Sequence, residues 1–114
     1  MPPTLMQCAR KICTMRGIQQ NDVTEIYFVR RKAIHRDHSI TGIVLKTDVQ
    51  VIIVPDINDV EYILEYSGDN MTPRIMVNDL CETHEFTQRD VAAFLKYSQP
   101  TVSRIRYIKY TKRR

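Results

Sequence analysis

Glycine is scarce, with three in 114 residues. No glycine-rich phosphate loop or dinucleotide fingerprint can be built from so few, which removes the nucleotide-binding enzyme classes that depend on them. Cysteine is also sparse and odd in number: Cys8, Cys13 and Cys81. With no export signal, an odd count argues against a disulfide framework. Long apolar runs are missing too; none approaches the roughly 20 residues a membrane-spanning helix needs. The start "MPPTLMQCARK" lacks the charged-then-apolar order of a secretory leader. A soluble, cytoplasmic protein without membrane contact is therefore expected. Paired metal-ligand spacing is absent as well. His35 and His38 stand three apart, as do Cys81 and His84, but neither belongs to a paired C-x-x-C pattern. No metal and no cofactor is expected.

Hydrophobic residues make up 43% of the chain and charged residues 26%, so one modest core can form. The charge is unevenly spread. Residues 84–114 hold eight Lys/Arg and two Asp/Glu, or +6, against a total of +4, so residues 1–83 carry −2. Such a split is the footprint of a chain that meets phosphate at one end. Residues 56–85 are the acidic part, with eight Asp/Glu and the single cation Arg74. That segment suits a protein partner or a second subunit.

Thr4 and Gly17 bracket an amphipathic pattern that predicts a helix, with Leu5, Cys8, Ala9 and Ile12 on one face. Over 21–37 a helix with Val23, Ile26, Tyr27, Arg30 and Ile34 on one face is expected, although "EIYFV" also fits a strand. "GIVLK" and "VQVIIVP" read as a β-hairpin around Thr47-Asp48, ended by Pro55. "INDVEYILEY" suggests a helix with Val60, Ile63 and Leu64 as its stripe, stopped by "SGDN". "PRIMVNDLCE" reads as a short strand or connector. The fold class expected is α+β: a small mixed body over 1–83 with a β-hairpin, then a helix-turn-helix with a basic tail over 84–114. The boundary falls near Cys81–Glu85, and the whole is expected to form one cooperative unit.

The last stretch is the most informative. Thr87 can cap "QRDVAAFLKY", and Ser98 can cap "QPTVSRIRYI". Pro100 in the first turn costs little, because N–H groups there lack helical partners. Val91, Ala92, Leu95, Tyr97, Val102 and Ile105 face inward, with the small Ala92 where the helices cross. Gln99, Thr101, Ser103, Arg104 and Tyr107 remain outside, a polar set suited to the donors and acceptors of the DNA major groove. Lys109, Lys112, Arg113 and Arg114, with Arg106, would lie along the phosphate backbone.

The segment Gln88 to Tyr107, "QRDVAAFLKYSQPTVSRIRY", resembles the helix-turn-helix of bacterial and phage regulators of the lambda repressor and Cro type. The likeness covers about 20 of the 114 residues. It implies that Gln88 contacts a phosphate and that Gln99, Pro100, Ser103 and Arg104 face base edges, with Ser98 at the helix start. It implies structural roles for Val91, Ala92, Leu95, Val102 and Ile105. The chain departs from the family at Lys96, where glycine is usual because the turn needs a left-handed backbone.

The expected function is sequence-specific binding of double-stranded DNA by a homodimer, as a repressor-like transcriptional regulator without catalysis. Two other classes stay open. One is an antagonist or adaptor that binds protein through 56–85. The other is a DNA-processing accessory, with Asp37, Asp48, Asp56 and Asp59 as carboxylates and His35 or His38 as a base.

Overall fold

The computed structural model describes residues 4–32 and 39–106, which fold as a mixed α+β chain. His35, Asp37, His38, Tyr107, Lys109, Lys112, Arg113 and Arg114 lie outside the described residues. Two compact units divide between Ser67 and Gly68, ahead of the Cys81–Glu85 boundary expected from composition. The acidic stretch 56–85 therefore straddles the division.

The first unit opens with α1, Leu5–Arg16. Thr4 accepts from the Gln7 N–H at 3.1 Å, and the Gln7 side chain accepts from the Thr4 N–H at 2.8 Å. This reciprocal cap satisfies two of the helix's orphan donors. Gly17 ends the helix at φ 67°, left-handed, with its N–H on the Cys13 and Thr14 carbonyls. Four antiparallel strands follow in the order β1-β2-β3-β4: β1 Glu25–Lys32, β2 Ser39–Lys46, β3 Gln50–Val54 and β4 Leu64–Ser67. The expected β-hairpin is β2–β3, in which Lys46 pairs with Val51 and Ile43 with Val54. Thr47 closes it. Its hydroxyl accepts from the Val49 and Gln50 N–H groups at 3.2 and 3.1 Å.

The buried stripe of α1, Cys8, Ala9, Ile12 and Cys13, packs with Ile43, Leu45, Ile52 and Val54 from β2 and β3. Register places Val44, Val51, Ile53, Leu64 and Tyr66 on the opposite face, where all are buried. Gly42 is needed for a close approach. A Cβ there would stand 2.8 Å from the Pro55 carbonyl oxygen and 2.9 Å from that of Val54.

Two helices expected in this unit are strands. Residues 25–32 pair with β2 at every position, from Glu25 with Lys46 to Lys32 with Ser39. The β-branched and aromatic run "IYFV" hides the alternation of period two, because both strand faces carry apolar side chains. Residues 57–59 form one short 3₁₀ turn, and β4 begins at Leu64. Leu64 and Tyr66 are buried while Glu65 and Ser67 are exposed, a strand period that outweighs the three apolar positions taken for a helical stripe. Glu65 reaches Arg16 at 2.5 Å.

In the second unit, "PRIMVN" is α2, Pro73–Asn78, not a strand. Thr72 caps it by accepting from the Ile75 N–H at 3.4 Å, and Pro73 occupies the first turn. One wider π turn, Asp79–Thr83, continues it. Two more helices follow, α3 Gln88–Leu95 and α4 Gln99–Arg106. Both α2 and α3 pack on α4.

Candidate nucleic-acid interface

α3 starts where its sequence dictates. The Thr87 hydroxyl accepts from the Asp90 N–H at 3.1 Å, and the Asp90 carboxylate accepts from the Thr87 N–H at 3.4 Å. Lys96 ends the helix at φ 62°, ψ 38°, with its N–H on the Ala92 carbonyl. The left-handed residue that the turn requires is therefore a lysine, and the conformation is adopted despite its Cβ. Lys96, Tyr97 and Ser98 form the whole connection to α4. Ser98 caps α4 by accepting from the Thr101 N–H at 3.2 Å.

Val91, Ala92, Leu95 and Val102 are buried as expected, and Ile105 is half-buried. Ala92 is buried on α3, and α3 packs on α4. The sequence reading missed Phe94, which is fully buried and meets Phe86 edge-on, with centroids 5.4 Å apart at 73°. Its spacing of three from Val91 was the available signal. Met76, Val77, Leu80 and Cys81 are also buried among the described residues of this unit.

Among the expected contact residues, Ser98, Gln99, Pro100 and Arg104 are exposed, and Gln88, Thr101 and Ser103 are half-buried. The first two turns of α4 thus expose Gln99, Pro100 and Arg104. Ser98 and Thr101 are less free, since their hydroxyls share a 2.7 Å hydrogen bond. Either hydroxyl can donate in that bond: if Ser98 does, each oxygen keeps one lone pair, and if Thr101 does, the two lone pairs of Ser98 are taken by the Thr101 N–H and O–H. Four of the eight cations counted after residue 83 (Arg89, Lys96, Arg104 and Arg106) fall on described residues, and four lie beyond Arg106.

Of the described residues weighed for other chemistry, Asp56 and Asp59 share one 3₁₀ turn and Asp48 lies in the β2–β3 turn. Asp48 and Asp59 are exposed on separate turns, and Asp56 is used locally, accepting from the Asn58 N–H at 2.9 Å. His84 lies 3.6 Å from Asp79. Cys81 is buried, and burial pushes its thiol pKa up, with Arg106 pulling the other way. Among the described residues no group of three or more His, Cys, Asp or Glu is placed to hold a metal ion. Nor is any helix among them long and apolar enough to cross a membrane.

Comparison with protein-family models, with curated proteins and with solved structures gave no match to this chain.

Proposed function

We propose that the chain is a sequence-specific DNA-binding protein, a repressor-like transcriptional regulator of the cytoplasm that acts as a homodimer and carries out no catalysis. The observation that carries this reading is the α3–α4 pair. Two eight-residue helices are joined by three residues, with a left-handed Lys96 at the turn, and the second helix offers Gln99, Pro100 and Arg104 to solvent. A helix of this size with a polar outer face fits the major groove, where Arg binds guanine edges and Gln binds adenine edges. The cations on α3, the turn and α4, followed by the basic residues 109–114, supply the phosphate attraction. One such helix reads only about four or five base pairs, so two copies on a two-fold site are the usual solution.

The test is binding of Arg104→Ala to selected and to random duplexes. A direct base contact loses roughly 1–3 kcal/mol at the selected site and much less on random DNA. Equal losses would make Arg104 a phosphate contact. No binding of either duplex by the unaltered protein would overturn the reading.

A further inference from the structure

Val91, Ala92, Phe94 and Leu95 bury one face of α3. At about 100° per residue, the opposite face holds Arg89, Ala93 and the C-cap Lys96. Ala93 stands about 40° round the helix from Arg89, and Lys96 about 20° from it. Arg89 and Lys96 are exposed, and Ala93 is half-buried. The outer stripe of α3 thus carries two cations, about 10 Å apart along the axis, with a single methyl group between them. An ordinary solvated face pairs its cations with Asp or Glu three or four residues away on the same helix. Here the positions three and four after Arg89, which are also four and three before Lys96, are Ala92 and Ala93. Asp90 is the one acidic residue from 86 to 106, and its carboxylate is turned back to the Thr87 N–H. Gln88, the phosphate contact implied by the resemblance, is off this stripe, about 100° from Arg89 on the side of the buried face.

In a helix-turn-helix bound to DNA, the first helix crosses the phosphate backbone while the second lies in the major groove. We propose that the outer stripe of α3 is a phosphate rail: the Arg89 guanidinium and the Lys96 ammonium each meet a backbone phosphate, and Ala93 lets the helix close on the strand. Arg89 can take two phosphate oxygens in its planar fork, while Lys96 acts as a point charge. The turn fixes where Lys96 stands, because the Lys96 and Tyr97 N–H groups both bond the Ala92 carbonyl. This role rests on the proposed function and divides its labour. α4 reads base edges, and α3 holds the protein on the strand without reading sequence.

The experiment measures the affinity of the full chain for a selected and a random duplex at about 50 and 200 mM salt, where each lost phosphate contact lowers the salt slope by about 0.9. Arg89→Gln and Lys96→Gln should each make the fall in affinity between the two salts about 3.5-fold smaller, and the double variant about 12-fold smaller, on both duplexes alike. Ala93→Glu adds a carboxylate four residues after Arg89 and three before Lys96, pairings that favour the helix. That variant should keep its melting temperature and yet bind both duplexes about tenfold more weakly. A double variant that binds DNA with the salt slope of the unaltered chain, or Ala93→Glu binding at full affinity, would overturn the rail and leave the regulator standing. A loss confined to the selected duplex makes these cations base contacts and overturns it too. If the unaltered chain binds neither duplex, the regulator falls and the rail with it.

Discussion

Replacing Lys96 by glycine should stabilise the protein. Lys96 sits at φ 62°, ψ 38°. In that region a Cβ crowds the following carbonyl, at a cost of about 1–2 kcal/mol. Glycine escapes the cost but gains unfolded-state entropy worth about 0.4–1 kcal/mol against it. The difference favours glycine by about 0.5–1 kcal/mol. Lysine also loses its side chain in the change, so the comparison to make is Lys96→Gly against Lys96→Ala, which share that loss. By thermal melting the glycine variant should lie about 2–6 °C above the alanine variant. The chain contains its own calibration. Gly17 occupies nearly the same conformation, at φ 67°, and a Cβ built there meets nothing within 4 Å. Gly17→Ala therefore measures the conformational cost with no steric part, and its loss should match the gain at Lys96. A Lys96→Gly variant no more stable than Lys96→Ala would refute the account of the turn.

Other perturbations have directions set by the same geometry. Gly42→Ala should cost about 1–3 kcal/mol by chemical denaturation, because the new methyl meets two backbone oxygens that no side-chain rotation can remove. Thr87→Ala should cost about 1 kcal/mol, read in the same assay, by freeing the Asp90 N–H. Burial raises the Cys13 thiol pKa. The unfolded chain therefore releases that proton first, and the contribution is present below the usual thiol pKa of about 8.5 and lost as pH rises above it. Cys13→Ala should flatten the alkaline limb of the stability profile. Removing residues 112–114 should weaken binding to all duplexes alike and reduce its salt dependence by about one to three charges; an unchanged slope would leave those cations idle.

How much was legible in the sequence differs between the units. The helix ends that carry their own hydrogen bonds were readable: Thr4, Gly17, Thr87 and Ser98 each cap as their chemistry requires. The left-handed backbone at Lys96 was implied by the resemblance to regulators of the lambda repressor and Cro type, in which glycine is usual at that position. β1 was not separable from a helix, because "IYFV" is apolar at consecutive positions and pairing with β2 decides the matter. β4 was misread because three apolar positions at helical spacing hid the alternation of Leu64 and Tyr66. For α2 the signal was present, a threonine followed by proline, but the apolar run "IMV", with β-branched Ile75 and Val77, drew the reading toward a strand. Of the candidate contact set, the arrangement of Ser98 through Arg104 was legible because it lies within two helical turns.

The cap of α4 also limits how that helix can meet any anion. The start of a helix ordinarily offers several backbone N–H groups, which grip a phosphate regardless of side chains. Here Pro100 has no N–H, the Thr101 N–H is taken by Ser98, and the Val102 N–H is bonded to the Ser98 carbonyl at 3.1 Å. Little main-chain grip remains. Under the proposed function, recognition by α4 would rest on side chains, chiefly Gln99 and Arg104, while Ser98 and Thr101 hold the start of the helix. The preference of the helix can then change by substitution at those positions without disturbing the scaffold, which makes this surface open to retuning by mutation or by design.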